Sequence, residues 1–283
     1  MGHPGFSVRI FLPTGEPEGL RIVEKSNWTG QGLVFPRAAL ADVKGVQDFA
    51  RAGVYILWGP SDAGTFQRVY VGEGDGVLQR LESHAQKKDF WTHAAVFVSK
   101  DQSLNKAHVQ YLEARLVKLA AEARRCELDN GNQPQPPSLS PADVADVEGF
   151  LDNMLLCLPV VGVDFFEKPR AAAGVRTLYL RSKGIEAQGY ESAAGFVVRE
   201  GAGVVKSEVP SIQAFLSDLR RTLVQQGVLV DAGETWRLAQ DYTFGSPSSA
   251  AGVLLGRSAN GRTEWRDASD RTLKELQERG SAG

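Results

Sequence analysis

The sequence predicts an α+β protein: a small antiparallel sheet flanked by helices, preceded by an N-terminal β-rich module and followed by a second small α+β domain. Three observations predict it. Short runs of β-branched and aromatic residues recur between turns rich in Gly, Pro and Asn. Amphipathic helical stretches stand between some of these runs. The segment FFEKPRAAAGV reads as a linker, so the 283 residues divide into 1–48, 49–165 and 174–283.

The elements follow in order. SVRIFLP, GLRIVEKS and GLVFPR are strand-like runs separated by PTGEPEG and NWTGQG turns, with Trp28 read as a cap on this small sheet. GVYILWGPSDAGTFQRVYVGEG, residues 53–74, reads as a β-hairpin that sets Tyr55 and Tyr70 in mid-strand and allows them a common face. DGVLQRLESHAQKK is a helix with Asp75 as its expected N-cap. Leu78, Leu81 and Ala85 form its core stripe, and Arg80, His84 and Lys87 form a neighbouring polar one. HAAVFVSK is a further strand. In LNKAHVQYLEARLVKLAAEARR, the residues Leu104, Tyr111, Leu112, Leu116, Leu119 and Ala123 define an apolar arc, with Glu113 at its flank. DNGNQPQPPSLS is a loop. Ser140 and Pro141 open the next helix as N-cap and first helical residue. Beyond the linker, RTLYLRS and AAGFVVRE read as strands, and SIQAFLSDLRRTLVQQ and RTLKELQERG contain helices.

The net charge of −2 argues weakly against wholesale coating of nucleic acid, but the distribution is uneven. Residues 51–125 carry eleven Lys and Arg against eight Asp and Glu, whereas residues 126–169 carry one against eight. No run is apolar enough to cross a bilayer, and MGHPGFSVRIF lacks the features of a secretory signal. The two cysteines, Cys126 and Cys157, are too few for a disulfide framework, so a reduced cytoplasm is expected. The chain has no P-loop, and GEGDG lacks the spacing of a dinucleotide site, so no nucleotide cofactor is expected. His93, His108 and Cys126 do not have zinc-site spacing.

GVY at 53–55, YVG at 70–72, Arg80 and His84 in QRLESH, and Glu113 in QYLEARL resemble, in order, the motif of the GIY-YIG nuclease family. The resemblance covers roughly residues 50–132, and the valines replace one β-branched residue by another. It implies metal-dependent endonuclease hydrolysis of DNA, in restriction, phage defence or repair. Tyr55, Tyr70, Arg80, His84 and Glu113 would be catalytic, and Asn130 or Asn132 would supply the asparagine that the family places after the glutamate helix. Residues 174–283 look like an uncharacterised domain that recurs behind such modules in bacterial proteins.

On this resemblance Glu113 would hold Mg²⁺ or Mn²⁺, and Arg80 would bind the scissile phosphate. Tyr55 would activate water with help from His84, its ionised form favoured by Arg80, and Tyr70 would orient the nucleophile or phosphate. Lys87 and Lys88 extend the expected DNA contact. In the C-terminal domain Arg257, Asn260 and Arg262, near Trp265, can contact nucleic acid. The structural alternative, favoured by Asn260–Gly261 as a hairpin signal, places Trp265 in a core. From a different functional class, the alternative is a DNA- or partner-binding module that keeps the fold without turnover.

Overall fold

The computed structural model describes residues 5–61, 66–166 and 175–280, and the chain divides into two compact units, 1–167 and 168–283. The linker segment at 167–174 and the hairpin tip at 62–65 lie outside the described residues. The chain is α+β.

The first unit is built on one seven-stranded sheet. Its strands are β1 (Val8–Phe11), β2 (Arg21–Lys25), β3 (Gly30–Pro36), β4 (Gly53–Pro60), β5 (Gln67–Gly74), β6 (His93–Ser99) and β7 (Glu127–Leu128). The spatial order is β1-β2-β3-β6-β4-β5-β7, antiparallel throughout except for the short parallel pairing of β7 with β5. The first strands therefore do not form a sheet of their own. All seven residues of β3 pair with β6, which makes residues 8–36 an extension of the central sheet.

The helices are a short α1 (Leu40–Val43), then α2 (Val77–Lys87), α3 (Lys106–Ala123) and α4 (Pro141–Cys157). Strand alternation gives the sheet two apolar faces. One buries Val54, Ile56, Val69, Val71 and Phe97 against α3 and α4. The other buries Leu57, Val96 and Val98 with Val77 and Leu81 of α2, while Leu78 and Ala85 pack at its margin. Trp28 is not a cap on a small sheet: it is buried in the first core, its ring centroid 5.0 Å from that of Phe150 on α4. Ser140 caps α4 as expected, accepting a hydrogen bond from the Asp143 amide at 3.1 Å, with Pro141 in the first turn. The start of α2 differs from expectation. Gly76, in extended backbone, is the N-cap and provides no side-chain bond, so Asp75 lies one residue outside the helix.

The second unit carries a four-stranded sheet, in order β14 (Tyr242–Phe244), β10 (Gly195–Val198), β9 (Ile185–Ser192), β8 (Leu178–Ser182). A three-stranded sheet follows the order β11 (Gly203–Val205), β13 (Thr235–Leu238), β12 (Leu229–Asp231). Its helices are α5 (Ala214–Gln225), α6 (Pro247–Leu255), α7 (Gly261–Glu264) and α8 (Leu273–Gly280). The buried guanidinium of Arg220 ties these layers together. Arg220 of α5 donates to Glu208 at 2.9 Å and to the carbonyls of Val205, Lys206 and Val253, so a desolvated charge is fully partnered.

Candidate active site

The register of β4 against β5 builds the first half of the site. Tyr55 lies opposite Gly72 and Leu57 opposite Tyr70, so the two tyrosines are diagonal neighbours on the α2 face. Their ring centroids are 6.3 Å apart. Gly72 is what allows this: a Cβ there would come within 2.4 Å of the Tyr55 hydroxyl. Glycine leaves the space that the phenol occupies.

Helix α2 brings the polar stripe. His84 Nε2 lies 2.8 Å from the Tyr55 hydroxyl, and its ring centroid is 4.7 Å from that of Tyr70. Arg80, one turn earlier, is exposed and runs its stem over Gly74, where a Cβ would come within 3.1 Å of Arg80 Cγ. Its positive charge acts on Tyr55, Tyr70, His84 and Glu113 alike.

Helix α3 approaches from the other face of the sheet. Its N-terminus is set by Asn105, which caps the His108 amide at 3.0 Å. Lys106 then pairs with Glu73 of β5 at 2.7 Å. Two turns on, half-buried Glu113 reaches the same end of β5. Burial and the negative charge of Glu73 push its carboxyl up to about 7, against the pull of Lys106 and Arg80. Glu73 and Lys106 were not anticipated from sequence. The available signal was a carboxylate directly after YVG and a lysine at the first helical position of α3.

The electrostatics correct one expectation. Burial raises the Tyr55 phenol, and the neighbouring Tyr70 raises it further; Arg80 lowers it but does not prevail. With 1% of its surface exposed, Tyr55 is a neutral phenol rather than a phenolate. His84 moves the other way, down to about 4, through burial and the charges of Lys88, Arg80 and Lys87. A neutral imidazole beside a neutral phenol lets the Tyr55 hydroxyl donate to Nε2.

Asn130 and Asn132 now separate. The Asn130 side chain accepts from the Val71 amide at 3.0 Å and donates to the Val71 carbonyl at 2.8 Å. It continues the pairing that β7 ends at Val69, and holds the strand between Tyr70 and Gly72. Asn132 is exposed in the loop beyond.

Of the other predicted DNA contacts, Lys87 and Lys88 lie on the His84 side of this site, their charges acting on that imidazole. Lys87 is exposed near the end of α2. Lys88 is held by Asp129, with its ammonium 4.5 Å from the Tyr70 ring centroid, so it braces that ring instead of projecting toward a ligand. Asp129 also accepts from Arg68 Nε at 2.9 Å. In the second unit, Arg257 pairs with Glu264 at 2.7 Å and Arg262 donates to Gln277 at 2.9 Å. Asn260 is the N-cap of α7, accepting from the Arg262 amide at 3.1 Å. Asn260–Gly261 thus starts a helix rather than turning a hairpin. Trp265 is fully buried, donating to the Pro247 carbonyl at 3.0 Å.

Among the described residues no group of three or more His, Cys, Asp and Glu side chains is placed to hold a metal ion. His93 stacks on Trp58, His108 takes part in the α3 cap, and Cys126 is buried. No helix of the described residues is long and apolar enough to cross a membrane.

Residues 178–277 match the model of a family described as a domain of unknown function (DUF4357). The match covers the second unit and brings no activity with it. No curated protein and no solved structure matches the chain. No GIY-YIG family model matches residues 50–132, so the comparisons do not support that resemblance.

Proposed function

We propose that the first unit is a metal-dependent endonuclease of the GIY-YIG type, hydrolysing DNA phosphodiester bonds with Mg²⁺ or Mn²⁺. One observation carries this reading. Five residues spread over 59 positions of sequence, Tyr55, Tyr70, Arg80, His84 and Glu113, come from two strands and two helices to one end of β5, where Tyr55 and His84 are hydrogen-bonded.

The residues fit a divalent cation. Glu113 is raised by burial and by the negative charge of Glu73, beyond what Lys106 and Arg80 offset. A hard cation supplies positive charge and needs only one or two protein carboxylates, with water and phosphate completing its shell. Glu113 would hold it, with Glu73 next in reach. When bound, it supplies Lewis-acid stabilisation of the leaving oxygen.

The protein's own groups then divide the work. Arg80 is exposed and directs a planar guanidinium toward the phosphate. Tyr70, half-buried, orients the phosphate or the attacking water. Tyr55 need not exist as a free phenolate. It takes a proton from water while passing its own to His84 Nε2, so the charge ends on the imidazole. An anionic phosphate offsets the Lys87, Lys88 and Arg80 charges that depress His84, and so strengthens it as an acceptor.

The burial of Tyr55 favours a second reading, a DNA- or partner-binding module without turnover. Incubation with linear, branched, single-stranded and phage DNA, with and without Mg²⁺ or Mn²⁺, separates the two. Metal-dependent cutting that is lost in Arg80→Ala is the expected result. Metal-independent binding with no cutting on any substrate would leave the second reading.

A further inference from the structure

A cavity of about 460 Å³ opens beside the catalytic patch, lined by Gln47, Arg51, Asp75, Ser99 and Gln102 among others. We propose that it receives the nucleobase next to the scissile phosphate and that Arg51 sets which base is preferred; this rests on the nuclease reading above.

The cavity neighbours the site through the turn at 74–76, where Asp75 lines it and the Arg80 stem runs over Gly74. A Cβ on Gly76 would lie 3.7 Å from the carbonyl of Ala50, a lining residue, and one on Gly74 would lie 3.1 Å from Arg80 Cγ. Asp75, between these two glycines, thus stands next to both Arg80 and the cavity in the fold. A strand whose phosphate sits on Arg80 has its neighbouring nucleotide directed here.

The lining has the chemistry of a base edge rather than of a phosphate. Two primary amides, a carboxylate and a guanidinium offer both donors and acceptors, the groups that read base edges by paired hydrogen bonds. Asp75 disfavours a second phosphate in the same space. Arg51 is fixed in advance: Nη1 contacts Asp48 at 2.9 Å and the Ser99 carbonyl at 3.3 Å. Among the described residues both contacts fall on Nη1, which leaves Nη2 and Nε to a ligand. Gln102, which lines the cavity, has a left-handed backbone with φ of 59°.

The test has two arms. Isotope-labelled full-length protein is titrated, without metal, with dAMP, dCMP, dGMP, dTMP and inorganic phosphate. The side-chain amide signals of Gln47 and Gln102 should shift with one or two of the nucleotides and stay in place with phosphate. Arg51→Met should weaken that response, as should Gln102→Gly, which suits the positive φ and removes the amide. In the second arm, nicks made with Mn²⁺ in randomised DNA are sequenced. The wild-type preference at the position beside the cut should relax in Arg51→Met by roughly five- to a hundredfold. Silent amides, an equal response to phosphate, or an unchanged preference in an active variant would each overturn the cavity assignment while leaving the nuclease reading intact. Responsive amides in a protein that cuts nothing would keep the base site and remove the nuclease.

Discussion

Glu113 carries opposite demands of stability and chemistry. Its carboxyl in the folded protein stands at about 7, above the ordinary 4.5, so between those values the folded chain binds more protons than the unfolded one. The stabilisation it provides is full below about pH 4.5 and is lost as pH rises through 7. Glu113→Gln should therefore raise the melting temperature at pH 8 and leave it nearly unchanged at pH 4.5. Mn²⁺ affinity, by contrast, should fall as pH drops from 8 to 6 in the wild type and be weak at both in the variant. Isothermal titration and thermal melts at these pH values check both signs. A second residue-scale expectation concerns Gly72. In Gly72→Ala the new methyl displaces the Tyr55 phenol from His84, at about 1–3 kcal/mol of overpacking. Cleavage should fall by the roughly 10²–10⁴-fold expected for loss of a general base, as in Tyr55→Phe. Cutting at the wild-type rate by both variants would return the tyrosine pair to a packing role.

At the scale of elements, the residues legible in the sequence were those whose meaning depends on local period. The hairpin reading allowed Tyr55 and Tyr70 a common face, which the β4–β5 register then gave them, and helical spacing placed Arg80 beside His84. What escaped depended on elements meeting through tertiary structure. The Lys106–Glu73 pair exists because α3 crosses β5, and the raised Tyr55 phenol exists because α2 closes over it. Asp75 was misplaced as a cap because Gly76 already adopts the extended backbone that a cap requires. Asn130 was one of two candidates until its bonds to Val71 distinguished it. Asn130→Ala leaves both Val71 groups without their partner, so about 1–3 kcal/mol of stability should be lost along with much of the activity. Asn132→Ala should be silent. Equal effects of the two in denaturant melts and cleavage assays would contradict the edge-clip role.

For the whole molecule, the division near residue 167 separates the proposed chemistry from the domain of unknown function. All five catalytic candidates lie in the first unit. Residues 175–283 have their own sheets and a fully partnered buried Arg220, so they should fold alone, melt cooperatively and leave DNA intact. Residues 1–167 should retain metal-dependent nicking. Loss of all nicking in this fragment, despite a native circular-dichroism spectrum, would assign the second unit a direct part in the reaction. Deleting residues 1–48 should do worse than either truncation, because it strips β3 from the seven residues of β6 and uncovers Leu33 and Phe35's partners.

The strand order also sets a timetable. β6 lies between β3 and β4, yet it is made after both. As the chain leaves the ribosome, the N-terminal strands and the tyrosine hairpin emerge first, each with an unsatisfied edge facing the gap that β6 will fill. Until residue 99 has emerged, neither edge has its native neighbour, and open edges of this kind invite pairing with other chains. Closure is thus a single late event that joins both halves of the sheet at once. A nascent chain stalled before His93 should be captured by chaperones, and one released after Ser99 much less so.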